Sequence, residues 1–264
     1  GTSSNGVYVN IKEGYATSTV LGAGLDITFK KYPNDWLRIE ASGGNNATGL
    51  EIYAANSTPT YNPTTLNGSF YLWGCQAETN SYATSYIPTN GSSATRSAET
   101  CNGAGDANTF NDSEGVLMVE ASALANDGTY RNICLSDGGL TNRILMQYTP
   151  TANQINIIII HSTNQYSLSH TVSSVKDFSK CLVKYKVNDL ALWVNGFEVD
   201  TSTNSVLPIG LNTLSFDNTI GDAFYSNTKQ LQYYDTALSD TDLETLTSWT
   251  SFNEMAESQL YSVY

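Results

Sequence analysis

The chain has 264 residues, enough for one large domain or two ordinary ones with a real core. Charged residues make up only 14%, so the polar surface is built from Ser, Thr, Asn and Gln, a composition that suits strands and turns. The formal net charge of −13 repels phosphate backbones and anionic lipid, which argues against nucleic acid and membrane surfaces as partners; no run of 18 apolar residues is present to insert in a membrane.

Short strand-like runs separated by turn residues begin the chain, at residues 6–11, 25–30, 36–41, 49–54 and 69–74. Asn45-Asn46 and Asn67-Gly68 supply turns. Residues 88–96 are small and polar and read as a linker, which sets a module boundary near residue 97. No signal peptide is legible, and Gly1 opens mid-pattern, so a fragment or processed product of a longer chain is expected.

Beyond the linker, strands are expected at 115–122, 133–135, 142–148, 154–160, 166–172, 181–185, 189–194, 214–216 and 229–234. The Ile-rich run 154–160 reads as a buried strand, and residues 162–165 turn it into its hairpin partner. Asn195-Gly196, between Leu-Trp-Val and Phe-Glu-Val, is a type I′ hairpin turn. Tyr233 and Tyr234 point to opposite faces, so one of them is expected at the surface. One helix follows: Ser239 caps it, Asp240, Asp242 and Glu244 sit in its first turn, and Leu238, Leu243, Leu246 and Trp249 give it one apolar face. The fold class is therefore all-β, with two β-sandwich (jelly-roll) modules, 1–97 and 98–264, and a short C-terminal helix.

Catalytic constellations are not legible. The two histidines, His161 and His170, stand in no HExxH spacing, and no GxSxG turn presents a serine. Glu114 and Glu120 are six residues apart, about 20 Å along a strand, too far for a glycosidase pair. Glu198 and Asp200 are suitably spaced but lack a third acid. The four cysteines, 75, 101, 134 and 181, form no CxxC pair, and a Cys134–Cys181 disulfide stays open. Calcium needs six to eight oxygens, and the candidate loops are 111–114 and the set Asp217, Asn218 and Asp222. Flat rings stack on sugar faces, so Trp36, Trp73, Trp193 and Trp249 are candidates for a platform; Trp193 and Trp249 read as core. Tyr82 and Tyr86 flank the loop before the linker.

Two passages resemble known proteins. Residues 36–39 (WLRI), 68–78 (GSFYLWGCQAE), 83–89 (ATSYIPT) and 94–96 (ATR) are similar to a pattern common in bacteriophage tail, neck and fibre proteins. There it closes a carbohydrate-binding-module-like jelly roll. The departures, Cys75, Ala77 and Asn80, are small packing changes. Residues 111–117, 185–196 and 233–243 resemble the concanavalin A-like (LamG-like) jelly roll that follows in such proteins. Against that pattern the first module lacks its earliest strands, which implies a longer parent chain or strands supplied by a partner. The resemblance implies a non-catalytic virion surface protein, extracellular, acting as fibre, appendage or decoration and binding host-surface polysaccharide. It also implies contacts with other virion proteins and a homo-oligomer, with a trimer as the usual fibre form. Alternatives are a purely structural assembly part, or a glycan-binding accessory module of a secreted polysaccharide-active protein. The expected site residues are Trp73, Tyr82 and Tyr86 for glycan and Asp217, Asn218 and Asp222 for Ca2+, with no cofactor required.

Overall fold

The computed structural model describes residues 9–10, 15–16, 25–43, 70–95, 104–251 and 253–254. The chain divides into two compact units, Gly1–Ser97 and Ala98–Tyr264. The described residues are all-β apart from α1 (Asp240–Thr247) and two helical residues at 253–254.

In the first unit, β1 (Val9–Asn10) pairs antiparallel with β2 (Tyr15–Ala16), and β3 (Leu25–Lys31) with β4 (Leu37–Gly43). Asn34 and Asp35 turn the second hairpin at φ 61° and 59°, a left-handed conformation that short polar side chains tolerate. The expected strand at 49–54 lies outside the described residues. The expected strand at 69–74 is not one over the described residues 70–74: 70–78 have no regular secondary structure, Gly74 has φ 70°, and no ladder joins them to other described residues. Side chains do the pairing instead. The Gln76 carbonyl oxygen accepts the Ile87 N–H at 2.7 Å. The Glu78 carboxylate accepts the Thr84 N–H at 2.9 Å and its hydroxyl at 2.8 Å. Arg38 Nη2 donates to the Thr84 carbonyl at 2.9 Å while its Nε pairs with Glu40 at 2.6 Å. The motif residues of 36–40, 76–78 and 83–87 thus converge on one segment, and their role is to hold it. Burial pushes the Glu78 carboxyl up, but the bonds from Thr84, Gln76 and Asn80 outweigh it and hold the group below its ordinary value.

The second unit is a sandwich of two five-stranded antiparallel sheets. One has the order β12 (Phe197–Ser202), β11 (Leu190–Val194), β10 (Ser179–Lys186), β5 (Glu114–Ala123), β14 (Ser226–Tyr234). The other has the order β13 (Thr213–Ser215), β6 (Arg131–Ser136), β7 (Asn142–Tyr148), β8 (Gln154–His161), β9 (Asn164–Thr171). Alternate residues of each strand meet between the sheets: Leu117 and Val119 of β5, Ile144 and Met146 of β7, Ile157 and Ile159 of β8, Val183 and Tyr185 of β10. A charge closes one end. Arg131, 2% exposed, forms a bidentate pair with Asp127 at 2.9 and 3.1 Å and donates to Tyr225 and Thr129 carbonyls.

Several details depart from the sequence reading. Residues 162–165 do not form the β8–β9 turn; the loop is the two residues Ser162-Thr163, and Asn164 already pairs with His161. The two histidines lie at opposite ends of that ladder, since His170 pairs with Ile155. Cys134 and Cys181 are both free. Cys134 faces outward from β6 while Cys181 points into the core between the sheets, so a bond across them has no geometry. Neither Tyr233 nor Tyr234 is exposed, because Tyr233 joins the central core and Tyr234 packs beneath α1.

The Asn195-Gly196 turn has φ 50° and 89°, as a type I′ turn requires. Ser239 caps α1 by accepting the Asp242 N–H at 3.3 Å. Leu243 is the anchor of its apolar face, packed with Val116, Met118, Leu182, Ala191 and Trp193.

Candidate functional site

The clamp on Thr84 positions an aromatic pair. Because Gln76 and Glu78 tie residues 84–87 against 76–78, Tyr86 is carried beside Trp73, with ring centroids 4.8 Å apart and planes inclined at 47°. Gly74 makes the approach at φ 70°, where an L side chain is strained. Trp73 is 70% exposed and Tyr86 42%. Tyr82 is half-buried at the bend before Thr84. The sequence reading passed over Tyr71, which is 91% exposed. Its signal was the unbroken apolar run of residues 70–73 (FYLW). The two rings, carried on segments tied together by Gln76 and Glu78, make an open aromatic shelf.

The loop Asp217, Asn218 and Asp222 comes together but spends its oxygens on itself. Asp217 Oδ1 accepts the Ser215 hydroxyl at 3.0 Å and the Thr219 N–H at 2.7 Å. Asn218 Oδ1 accepts the N–H groups of Ile220 and Asp222 at 3.0 and 3.2 Å, and its amide donates to Asp222 at 2.6 Å. These are Asx-type turns that shape the loop. In the other candidate loop, Asp112 receives the Gly210 and Leu211 N–H groups at 2.6 and 2.9 Å, and Glu114 pairs with Lys186 at 3.0 Å. Among the described residues, no three His, Cys, Asp or Glu side chains gather in a metal-holding group.

Other carboxylates have structural partners. Glu120 pairs with Lys229 at 3.3 Å. Asp200 accepts the Ser169 N–H at 2.8 Å and so joins the edges of the two sheets. An open cleft of about 340 Å³ lies beside Phe110, bounded by Asn108, Asp112, Leu211 and Asp235. Its floor ring is already packed edge-on against Tyr233, at 5.0 Å between centroids. No helix among the described residues is long and apolar enough to cross a membrane.

No family model matches the chain, and no curated protein does. Among solved structures, the chain is similar to the CBM40 domain of the Ruminococcus gnavus IT-sialidase, with 14% identity over 56% of this chain and 94% of that one, at a TM-score of 0.47. It is also similar to leech intramolecular trans-sialidase, with 16% identity over 54% of this chain and 24% of that one, at 0.44. A third is domain 4 of AbnA, an extracellular arabinanase of Geobacillus stearothermophilus, with 12% identity over 55% of this chain and 70% of that one, at 0.45. These likenesses are remote in sequence and in shape, and the sandwich described above rests on its own strand pairing.

Proposed function

We propose that the chain is a non-catalytic glycan-binding protein, displayed on a virion surface as fibre, appendage or decoration. In this reading residues 1–97 are a carbohydrate-binding-module-like jelly roll and 98–264 a concanavalin A-like one. The observation that carries it is the Trp73–Tyr86 pair, 4.8 Å apart and held open to solvent by the clamp on Thr84. Exposed flat rings fixed in advance bind a sugar face at little entropic cost. The phage-protein resemblance of residues 36–96 supports the virion setting. Labelled protein is expected to bind host cells saturably and to be competed by one purified surface polysaccharide, with Trp73→Ala abolishing the binding. An EDTA arm tests the loop Asp217, Asn218 and Asp222: sensitivity assigns it Ca2+. Absence of saturable binding by folded protein removes the adhesin reading.

A second reading, structural assembly in the particle, has its own support. Phe70, Tyr71, Leu72 and Trp73 are four consecutive exposed apolar residues outside any described ladder. Such a segment also suits burial against another virion protein. Protection of Phe70–Trp73 in assembled particles, without polysaccharide binding, favours that reading.

A further inference from the structure

Two Asn-Gly turns share a backbone conformation but not their surroundings. The sequence holds five Asn-Gly pairs, and two of them, Asn90-Gly91 and Asn195-Gly196, lie among the described residues. Both adopt left-handed angles, with φ 45° and 86° in the first and 50° and 89° in the second, the pattern of a type I′ turn.

Asn195-Gly196 is locked. It closes the β11–β12 hairpin. The Asn195 N–H donates to the Lys180 carbonyl at 3.0 Å, and Asn195 Oδ1 accepts the Lys180 N–H at 2.9 Å. The Gly196 N–H donates to the Thr247 hydroxyl at 3.2 Å, and a Cβ at Gly196 would lie 2.7 Å from Ser248 Oγ. Both halves of the dipeptide are pinned against neighbouring elements.

Asn90-Gly91 is held only by its own turn, in which the Ser92 N–H donates to the Thr89 carbonyl at 3.0 Å. Thr89, Asn90, Gly91 and Ser92 are all exposed. Among the described residues, neither the Asn90 side chain nor the Gly91 N–H has a hydrogen-bond partner. Apart from its chain neighbours, nothing lies within 4 Å of where a Gly91 Cβ would sit. A turn with so little to break opens at low cost.

We propose that Asn90-Gly91 is a site of spontaneous backbone modification, a deamidation that the fold permits there and blocks at Asn195-Gly196. Opening of the turn lets the Gly91 nitrogen reach Asn90 Cγ, and glycine has no side chain to obstruct the approach. The nitrogen gives its proton to solvent base and bonds to Cγ. The Cγ–Nδ2 bond breaks, ammonia leaves and a succinimide ring remains. Water then opens the ring at either carbonyl, giving an aspartate or an isoaspartate linkage. Each event puts a carboxylate where a neutral amide stood, in a chain already at −13. The isoaspartate form also adds a methylene to the backbone shortly before the unit boundary at Ser97. At Asn195 the same attack must first free the Gly196 N–H from Thr247 and the Asn195 carboxamide from Lys180.

The test uses the whole folded chain, incubated at mildly alkaline pH. Tandem mass spectrometry of proteolytic peptides locates the deamidation, and enzymatic methylation counts the isoaspartate. Asn90 should convert roughly tenfold faster than Asn195, or more. In urea-unfolded protein the two rates should converge to within about threefold, because the flanking contacts are gone. Equal rates in the folded chain, a faster Asn195, or no conversion at Asn90 would overturn the assignment. So would a gap that persists undiminished in urea, since it would come from local sequence rather than from the fold.

Discussion

The two sheets of the sandwich share one core but finish their outer faces in opposite ways. The β12–β11–β10–β5–β14 sheet is sealed by α1. Leu182 of β10 lies under Leu243, and a lysine stands on either side of it along the strand. Lys184 pairs with Asp189 at 2.9 Å and with Asp240, at the helix start, at 3.4 Å. Lys180 donates to the Ser248 carbonyl and to Glu254, both at 3.1 Å, and lies 4.7 Å from the Trp249 ring centroid. The outer face of the other sheet is also buried at β6 and β7, but under a polar loop: Asn132 and Arg143 donate to its Asp222 and Asn218 carbonyls, and polar atoms beneath it stay unpaired. An apolar seal contributes stability, whereas a polar cover that leaves buried atoms unpaired gives part of that gain back.

Substitutions should separate the two. Leu243→Ala opens a cavity under the helix and is expected to cost about 2–5 kcal/mol in chemical denaturation. A loss below about 1 kcal/mol would show that α1 does not seal the sheet. Gly196→Ala, at φ 89°, places a Cβ 2.7 Å from Ser248 Oγ, at the contact between the β11–β12 turn and the helix end. It should cost about 1–3 kcal/mol. On the other sheet, Ser169→Arg at the exposed edge strand should change stability by less than about 0.5 kcal/mol. An equal cost on both faces would erase the distinction.

The helix seal also has a pH signature. Bonds from the Thr250 hydroxyl and N–H, then from Lys180, hold the Glu254 carboxyl down at about 2. A depressed carboxylate stabilises the fold above its unfolded value, and that contribution fades as pH falls toward about 2. Lys184 behaves in the opposite sense. Burial pulls it down, but Asp189 and Asp240 outweigh burial and hold it above the ordinary lysine value. Its contribution is present below that value and lost as pH rises through the elevated one. Fluorescence of Trp249, compared with Trp249→Phe, should report loosening at the acid end, and a flat signal there would contradict the Glu254 contact.

Local chemistry was the legible part of the sequence. Asn195-Gly196 and the Ser239 cap act within a few residues, so composition alone determines them. The Ile-rich run was harder. Read as a buried strand, it buries Ile155, Ile157 and Ile159 in the core, while Ile158 and Ile160 face outward. No sequence window records whether a sheet has a cover on its far side. Residues 70–74 had strand composition, yet no ladder joins them to other described residues; the side chains of Gln76 and Glu78, just beyond them, tie the chain to Ile87 and Thr84. Trp73 and Tyr86 stood out as aromatics, but their meeting depends on that clamp, which spans residues 38–87.

The most direct test of glycan binding through the shelf is tryptophan fluorescence titrated with host surface polysaccharide, in wild type and Trp73→Ala. A glycan seated on the shelf gives a saturable change in wild type that disappears in Trp73→Ala while the melting temperature stays the same. A change that persists in Trp73→Ala, or no change in a folded wild-type sample, would contradict it.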